Sequence, residues 1–403
     1  MIPRGAAYIG WTDLVAAVVH CAVPGNAKTA QRSVESLWAP NTVASLSVRS
    51  GLDALLRVLA FPRGSEIIVS AITIPHVVDI LLEHGLVPVP VDIDLSTLAI
   101  DADDVRSAIT PRTKAILVAH LFGSRMPLDE IIAVAREYSL PMFEDCAQAN
   151  DGSEWRGHAG ATVSMFSFGS IKRQTALGGG LLRFKNAALA EQVRQQQATY
   201  PRQTRSSYLK RVMTMMLLKA VTFRAVFGLF VRICHLRGLD HDKTLGTALR
   251  AFSKGDLFAR LRQQPSVPLL RMLRRRLRQS ALESVAERVA IVDVVTSVFP
   301  ELDRPGAEAA HHSHWLFPML TSQPQELMHQ LWERGYDATC GASNLVSVKA
   351  PVGRAVPEQA ERLMDEVLYL PLYPSSSADE MRAMAHALRE LEHEPDRTHA
   401  ALS

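Results

Sequence analysis

Two short segments of this chain carry side chains that could do chemistry together. In the first, PMFEDCAQAN, Asp145 follows the apolar run at 141–143, and Gln148 comes three residues later. In the second, SMFSFGSIKRQTALGGG, Ser167 stands five residues before Lys172, and three glycines follow at 178–180. A carboxylate can hold a protonated nitrogen, a lysine amine can bond a carbonyl carbon and move protons, and a hydroxyl beside glycine amides can bind phosphate.

Pyridoxal 5'-phosphate (PLP) is a cofactor that requires these groups. Its pyridine nitrogen stays protonated beside a carboxylate, its aldehyde forms a Schiff base with a lysine, and its phosphate binds N–H groups at a helix N-terminus. We predict that Asp145 meets the pyridine nitrogen and that Lys172 forms the Schiff base and later moves the proton. Taken singly, Asp145 could instead cap the following helix, and Lys172 could be an ordinary surface residue.

A Ser-Gly pair at residues 50–51 is the candidate for the phosphate end of the cofactor. It precedes Leu52 and Asp53 in SGLDALLRVLAF, just before the predicted first helix of the sheet. N–H groups in the first turn could cradle a phosphate, although a Ser-Gly helix start is common and could be purely structural.

Strand-like and helical segments alternate along the first half of the chain. The strand-like segments lie at 66–70, 87–91, 115–119, 141–144, 163–168 and 180–184, and the helical patterns lie at 52–60, 77–83, 102–109 and 128–138. Short apolar runs rich in β-branched residues are typical of buried strands in a parallel sheet. The alternation predicts an α/β fold with a mostly parallel sheet, and Asp145 at the carboxyl end of a strand, where such sheets bind ligands.

The rest of the chain is predicted to complete a large domain and to form a smaller one. We place a large PLP-binding domain at residues 1–260, with an atypical apolar helical insert near 205–255, and a small C-terminal α+β domain at 261–403. The basic run RMLRRRLR at 271–278 is interpreted as the solvated face of a helix. Thr12-Asp13 is interpreted as the N-cap of a short helix.

Composition limits the class of protein. The 403 residues carry a net charge of +3 and are 47% hydrophobic, which requires neither nucleic acid nor a membrane as partner. The four cysteines, at 21, 146, 234 and 340, show no zinc-binding spacing, so we predict no metal site and free thiols in a reducing compartment. Asp13 and His20 interrupt the apolar stretch at 6–23, which argues against a signal peptide and favours a cytoplasmic protein.

An apolar stretch at 212–236, VMTMMLLKAVTFRAVFGLFVRICHL, has three interpretations. Lys219, Arg224 and Arg232 interrupt it, so a membrane-spanning helix is a poor fit. The stretch could pack at a dimer interface, line a pocket for an apolar substrate, or touch a membrane surface peripherally. Dimer packing is favoured, because the basic residues spread around the helical circumference and form no single polar face.

In its motifs and their order, the chain resembles the DegT/DnrJ/EryC1/StrS family of fold-type I PLP-dependent aminotransferases, often called sugar aminotransferases. The likeness extends from about residue 50 to about residue 391 and weakens between about 196 and 264. It rests on SGLDALLRVLAF, GLVPVPVDIDLSTLAID, ITPRTKAILVAHLFG, EDCAQA, FSFGSIK followed by GGG, and VLYLPLYP. Each motif is weak by itself, and their shared order and spacing make the resemblance specific.

The resemblance implies a role for each matching residue. Lys172 corresponds to the Schiff-base lysine, Asp145 to the carboxylate on the pyridinium, and Gln148 to the glutamine on the ring hydroxyl side. Ser167 corresponds to a phosphate-binding hydroxyl, and Gly51 with its successor to the phosphate-binding helix start. It also implies a homodimer with the active site at the interface, and a cofactor that alternates between PLP and its amino form, PMP.

The resemblance also implies the reaction. Such an aminotransferase moves an amino group from an amino acid, usually glutamate, to the keto group of a sugar that is usually nucleotide-linked. A transaminase of a lipid-linked or other apolar ketone, and a non-catalytic or regulatory relative of the fold, are the alternatives. Neither the acceptor nor the stereochemistry follows from the sequence, because substrate residues lie in loops that depart from the family.

Three positions depart from the family's pattern. Leu52 stands where a threonine is common, so one phosphate hydroxyl is missing. Ile74 stands where the family often has an aromatic residue that stacks on the ring, and we expect His76 to cover the ring, although it could simply start the next helix. The family's Asn-Tyr-Arg segment, which reaches the partner subunit's phosphate, is not visible, and Arg262 in RLRQQPSVPLL is the nearest candidate.

Overall fold

A seven-stranded sheet forms the centre of the fold. The computed structural model describes residues 1–393 except 6–7, 222–227, 229–232, 235, 238–255, 280–281, 342–343 and 374–375. The strands of the sheet are β1 Thr42–Ser45, β2 Glu66–Ser70, β4 Val87–Val91, β5 Thr113–Ala119, β6 Met142–Asp145, β7 Val163–Ser167 and β8 Gly180–Phe184. Their spatial order is β1-β8-β7-β6-β5-β2-β4. Strand β8 runs opposite to the other six strands, which all run in one direction. The predicted α/β fold with a mostly parallel sheet is therefore confirmed.

Helices connect the strands and cover the sheet. Those before and between the strands are α1 Trp11–Ala22, α2 Ala27–Trp38, α3 Val48–Leu59, α4 Pro75–Glu83, α5 Ala102–Ala108 and α6 Asp129–Glu137. After the sheet come α7 Ala187–Ala198, α8 Arg205–Val221, α9 Leu257–Leu261, α10 Val267–Leu277 and α11 Leu282–Val298. Alternate residues of β2 enter different apolar clusters, Ile67 and Val69 in one and Ile68 in the other. The sheet is therefore buried on both faces, as its continuous apolar strands predict.

Local sequence explains where the structure departs from the predicted boundaries. Helix α3 begins four residues before the predicted 52, because the Ser47 side chain caps it by accepting a hydrogen bond from the Ser50 N–H at 3.1 Å. Strand β4 contains Pro88 and Pro90, which donate no ladder hydrogen bonds, and it lies at the edge of the sheet.

The C-terminal third combines two small sheets with helices. Its elements are β9 Pro318–Leu320, α12 Pro324–Glu333, β10 Val346–Ser347, α13 Glu358–Glu366, β11 Val367–Tyr369 and α14 Ala378–His393. Strand β11 pairs with β9, and β10 pairs with β3 Ile72–Thr73 of the first half. An apolar cluster joins α11, α12 and α14 to Ile2. The domain division between residues 260 and 261 stays a prediction. It assigns α10 to the small domain, although α10 packs with α1 and α2.

The basic run at 271–278 does not form a solvated face, so that interpretation is wrong for several of its residues. The Arg275 and Arg276 side chains donate to the buried Asp13 carboxylate at 2.6 and 2.7 Å, and Arg271 donates to the carbonyls of residues 23 and 24. Helix α1 begins at Trp11, before the expected Thr12-Asp13 cap, and has no side-chain cap. Asp13 instead ties α1 to α10.

The apolar stretch at 212–236 lies largely outside the described residues, as does most of the predicted insert at 205–255. Its first part belongs to α8, on which Met213 and Leu217 are exposed. Within the part of the chain that the structure describes, no helix is both long and apolar enough to cross a membrane.

Candidate active site

Asp145 and Lys172 lie at the carboxyl end of the sheet, close enough for each charge to act on the other. Asp145 is the last residue of β6 and is 9% exposed, with Oδ1 accepting from the Ala147 N–H at 2.8 Å. Lys172 lies in the loop after β7, in a turn closed by its own N–H to the Gly169 carbonyl at 3.0 Å. Burial raises the pKa of Asp145, and the Ala147 N–H and the Lys172 amine oppose that rise. The structure thus brings together the two residues that the sequence assigned to the ring nitrogen and the covalent bond.

The Lys172 amine has a strongly altered environment. Burial and the Arg49 guanidinium together lower its pKa to about 7, against the opposing effect of the Asp145 carboxylate. Its Nζ lies 3.8 Å from the centroid of the Trp315 ring, and the Trp315 indole N–H donates to the Ile171 carbonyl at 3.3 Å. A lysine with a pKa near neutrality can act as a nucleophile and a base at physiological pH.

Gln148 lies beside the loop that follows β5. Its Oε1 accepts from the Phe122 N–H at 2.9 Å. Phe122 has a left-handed φ of 54°, and Gly123 after it has a φ of 103°. The backbone therefore turns sharply here, and the bond fixes Gln148 near the strand end that carries Asp145.

A close approach of β8 to α3 forms the candidate phosphate end. Ser167 ends β7 and stands opposite Gly180 in the antiparallel register. A Cβ on Gly180 would lie 2.5 Å from the Val48 nitrogen, so only glycine lets β8 reach the first turn of α3. Ser47 caps this turn, and Ser167, whose Oγ accepts from the Gly169 N–H at 3.4 Å, comes from the strand beside it.

Gly51 and Leu52 lie further along α3 than the N–H groups at the helix start that a phosphate would bind. The Gly51 N–H donates to the Ser47 carbonyl at 3.1 Å, as in any helix interior. A Cβ on Gly51 would lie 2.4 Å from a Leu182 methyl carbon, and Leu52 is 1% exposed in the core. Because α3 starts at Val48, the orphan N–H groups of its first turn belong to residues before Gly51. The geometry thus assigns Gly51 to packing against β8.

Arg49, in the first turn of α3, was missed by sequence reasoning. Its Nη1 hydrogen-bonds His76 Nδ1 at 2.7 Å, and it is among the charges that act on Lys172. Burial and the Arg49 charge lower the pKa of His76, which favours its neutral form. Ile74, the other candidate for covering the ring, packs against the two apolar clusters of the sheet. His76 therefore lies near the candidate site, and its covering role stays a prediction.

Arg262 is engaged within the chain. Its guanidinium donates to the buried Asp53 carboxylate at 3.2 and 3.3 Å and to Glu83 at 3.0 Å. Asp53 also hydrogen-bonds His84 at 3.1 Å. Within one chain, Arg262 joins α9 to α3 and α4, and its expected reach to a partner's phosphate stays a prediction.

A buried hydrogen-bond network supports the strand that carries Asp145. The Glu144 carboxylate accepts from the His120 ring at 3.0 Å, from the Ser164 hydroxyl at 2.5 Å and from the His158 N–H at 2.8 Å. Burial alone would raise the pKa of Glu144, and these donors hold it below its ordinary value. The network faces away from Asp145, because successive strand residues point to opposite faces.

His120, Glu144 and Cys146 lie close enough together to chelate a metal ion, with ligand atoms within 4.8 Å of one another. Their hydrogen bonds argue for a different state. His120 Nδ1 accepts from the Met126 N–H at 3.2 Å while Nε2 bonds Glu144, so both ring nitrogens are engaged. Burial raises the pKa of the Cys146 thiol well above its usual value, and a protonated thiol is a poor ligand.

The chain resembles known aminotransferases in both sequence and structure. Residues 33–222, which hold the whole large sheet, match the model of the DegT/DnrJ/EryC1/StrS aminotransferase family. Similar solved structures include the sugar aminotransferase CalS13 from Micromonospora echinospora (TM-score 0.67, 18% identity, 97% of this chain and 100% of that chain). PseC from Helicobacter pylori, an aminotransferase involved in the biosynthesis of pseudoaminic acid, has a TM-score of 0.69 and 17% identity, covering 97% of this chain and 99% of that chain.

A third similar structure contains the amino form of the cofactor. It is ntda from Bacillus subtilis with bound PMP (TM-score 0.65, 19% identity, 96% of this chain and 83% of that chain). At these identities the structures establish the fold, and the family model establishes the family of the matched segment. The predicted family, an aminotransferase family, is thereby confirmed for residues 33–222, and the predicted fold is confirmed for the chain.

Proposed function

We propose that this chain, whose residues 33–222 belong to the DegT/DnrJ/EryC1/StrS aminotransferase family, transfers an amino group from glutamate to a keto group of a nucleotide-linked sugar. One observation carries the proposal above all. A lysine amine whose pKa burial lowers to about 7 lies beside a buried carboxylate at the ligand-binding end of a parallel sheet.

The residues present fit PLP at both of its ends. At the phosphate end, Gly180 lets β8 lie directly against the first turn of α3, which brings Ser167 on the neighbouring strand close to the N-terminus of that helix. Ser167 and Arg49 would supply a hydroxyl and a positive charge there, and the helix N-terminus favours an anion. At the ring end, Asp145 would hold the ring nitrogen, Gln148 would reach the ring hydroxyl side, and His76 would cover a face.

PLP supplies an electron-withdrawing ring that makes the proton on the substrate's α-carbon acidic. Lys172 would hold the cofactor covalently between turnovers, and its freed Nζ would take that proton from the α-carbon and return it to the C4′ carbon of the cofactor, on the other side of the linking nitrogen. A base works best when its pKa lies near the operating pH, which burial and Arg49 achieve here. The Asp145 carboxylate would keep the ring nitrogen protonated. The positive charge on that nitrogen would in turn favour the ionised form of Asp145, against the effect of burial.

Several neighbours support a sugar-type acceptor. CalS13 is described as a sugar aminotransferase, and PseC acts in the biosynthesis of pseudoaminic acid. The exposed Met213 and Leu217 side chains on α8 favour, as a second candidate, a lipid-linked or other apolar ketone. A non-catalytic relative of the fold is disfavoured by the combination of Lys172 and Asp145.

Cofactor absorbance tests the proposal. The purified protein loaded with PLP should absorb visible light through its bond to Lys172, and glutamate should bleach that band by converting the cofactor to PMP. Lys172→Ala should lose the band and all half-reaction activity, while retaining the wild-type circular dichroism spectrum. If the wild-type protein cannot be loaded with PLP, or if no amino acid converts the bound PLP to PMP, the proposed function is refuted.

The acceptor is identified by the reverse half-reaction. The PMP form is offered a panel of nucleotide-linked keto sugars, free keto sugars and apolar ketones, and recovery of the visible band is recorded. Recovery with nucleotide-linked sugars supports the first candidate, and recovery with apolar ketones alone supports the second.

The assembly and location of the protein are also proposals. We infer a cytoplasmic homodimer with the active site at the subunit interface, as the family resemblance implies. Peripheral membrane contact through 212–236 is tested by co-sedimentation with anionic lipid vesicles, and the absence of co-sedimentation would exclude it. The division into a domain at 1–260 and one at 261–403 is tested by limited proteolysis.

A further inference from the structure

Trp315 presents the face of its ring to the reactive lysine. The Lys172 Nζ lies 3.8 Å from the centroid of that ring. The Trp315 side chain is 7% exposed, and its indole N–H donates at 3.3 Å to the carbonyl of Ile171, the residue before the lysine. The ring is therefore tied to the same turn that carries the amine, and no role described above uses it.

Backbone hydrogen bonds to the loop after β5 hold the segment that carries Trp315. The Ser313 N–H donates to the Gly123 carbonyl at 2.8 Å, and the Leu316 N–H donates to the Phe122 carbonyl at 3.2 Å. A Cβ on Gly123 would lie 2.5 Å from the Trp315 nitrogen, so the two backbones are in direct contact.

Two buried arginines bind the carbonyls of the same segment. Arg173 donates to the Ser313 carbonyl. Arg288 donates to the carbonyls of His314 and Trp315 at 2.6 and 2.5 Å. His314 has a left-handed φ of 46°, a conformation that is unfavourable for a residue other than glycine. Such a conformation persists only where the surroundings fix it, so the fold specifies where the Trp315 ring lies.

The face of an aromatic ring distinguishes between the two protonation states of an amine. Its negative electrostatic potential attracts an ammonium group far more strongly than a neutral amine. The distance from the Lys172 Nζ to the Trp315 centroid lies well within the roughly 6 Å over which this attraction acts. The ring also has no group that would remove the proton from the ammonium. The contact therefore favours the protonated amine and leaves its proton available for transfer.

We propose that Trp315 is a positioning residue that stabilises the protonated Lys172 amine during proton transfer. This inference rests on the proposed function. When Nζ takes the proton from the α-carbon of the amino donor, a C–H bond breaks, an N–H bond forms and the amine becomes an ammonium group. The ring face would stabilise that charge until the N–H bond breaks and the proton passes to the C4′ carbon.

The other groups that act on the amine support a role for the ring. Among the described residues, the charged groups are Asp145 at the end of β6, which favours the ammonium form, and Arg49 in α3, which opposes it. With PLP bound, the Asp145 carboxylate would pair with the ring nitrogen of the cofactor. The Trp315 face would then be the group left to stabilise the ammonium.

The pH midpoint for capture of pyridoxal by the cofactor-free, full-length protein reports the protonation of Lys172. Trp315→Leu removes the partner of the ammonium, so the midpoint should fall by about 0.5–1.5 pH units, the equivalent of a desolvated cation–π contact. Trp315→Phe keeps an aromatic face, so its midpoint should fall less. A ring that only fills space predicts the opposite sign, because its loss would admit water, relieve the burial of the amine and raise the midpoint. A rise or no change in Trp315→Leu would overturn the proposal.

Trp332 provides the matched control. It is 9% exposed, and its indole N–H donates to the Ala338 carbonyl at 2.8 Å, within the apolar cluster of the C-terminal third. Trp332→Leu should therefore leave the midpoint of pyridoxal capture unchanged, whatever its effect on stability. An equal shift in Trp315→Leu and Trp332→Leu would reveal a general effect of losing a buried tryptophan, against the proposal.

The half-reaction of the PLP-loaded protein with glutamate gives the second measurement. Trp315→Leu should lower the limiting rate about 3- to 30-fold and leave the KM for glutamate unchanged, because the ring acts on the amine and not on the donor. Trp315→Phe should restore part of the rate. A change in KM alone would place Trp315 in donor binding and contradict the proposal. If no amino acid converts the wild type, the proposed function fails, and the pyridoxal midpoint still reports on the contact of Lys172 with Trp315.

Fluorinated tryptophan decides the matter if Trp315→Leu does not fold. Fluorine withdraws electron density from the indole ring and weakens its attraction for a cation, with little change in volume. Replacing all five tryptophans of the chain with mono-, di- and trifluorinated forms in turn should lower the midpoint of pyridoxal capture step by step. A midpoint that does not respond to fluorination would rule out stabilisation of the ammonium by the ring face.

Discussion

The Lys172 amine lies between charges of opposite sign, and their balance determines when it can react. Burial and Arg49 lower its pKa and Asp145 opposes them, and the net pKa is about 7. Because only the neutral amine attacks an aldehyde, this balance places the reactive form within the physiological pH range.

Capture of pyridoxal by the cofactor-free protein should therefore depend on pH with a midpoint near 7. Pyridoxal lacks the phosphate, so the measurement separates the charge on Lys172 from phosphate binding by Arg49. The rate should rise as pH increases through about 7, because the amine loses its proton there. Stopped-flow absorbance between pH 5.5 and 9.5 records it.

Two variants should move this midpoint in opposite directions. Arg49→Met removes a positive neighbour, so the amine keeps its proton to higher pH and the midpoint rises. Asp145→Asn removes a negative neighbour, so the midpoint falls. Shifts in the same direction would show that the two side chains do not set the charge state of Lys172.

At the scale of elements, the contact between β8 and the first turn of α3 shapes the proposed phosphate end of the site. Gly180 permits this contact, because a Cβ there would lie 2.5 Å from the backbone nitrogen of Val48 and 2.6 Å from the carbonyl carbon of Ser47. Backbone atoms at a helix start cannot rotate aside as a side chain could, so the helix itself would have to move.

Gly180→Ala should therefore destabilise the protein by about 1–3 kcal/mol, as overpacking in a buried contact does, and should weaken PLP binding. Urea unfolding and equilibrium dialysis with PLP measure the two effects. At the control position Gly341, an added Cβ would lie 3.7 Å from the Thr339 Oγ1, so Gly341→Ala should change stability by less than about 0.5 kcal/mol. Unchanged PLP binding in Gly180→Ala would show that the phosphate end lies elsewhere.

At the scale of the whole molecule, the proposed dimer accounts for apolar surface on the single chain. Trp11, Val15 and Val19 lie along α1 and are 48%, 55% and 51% exposed. Apolar residues spaced along one helix face in this way are typical of contact surfaces.

Light scattering after size exclusion should give twice the 44.4 kDa mass of the chain. Dilution towards the nanomolar range should reduce specific activity only where the mass also falls, because a shared active site is lost with the dimer. A fully active monomer would contradict an active site at the interface.

Local sequence was sufficient to predict most strands of the sheet and to select Asp145 and Lys172 as the central residues of the candidate site. The apolar runs at 66–70 and 87–91 are strands as predicted, because length and residue type are local properties. The start of α3 was placed too late, because a cap by Ser47 depends on the backbone before it. The basic run at 271–278 was misinterpreted, because its buried partner, Asp13, lies at the other end of the chain.

The sequence by itself was enough to identify the family and to predict the PLP cofactor and the pairing of Lys172 with Asp145. These follow from short motifs, since each side chain stands a fixed number of residues from the end of a predicted strand. Only the tertiary structure brought Arg49 and Trp315 to the Lys172 amine. Such contacts join distant segments, and their charges and hydrogen bonds depend on burial, which no local pattern specifies.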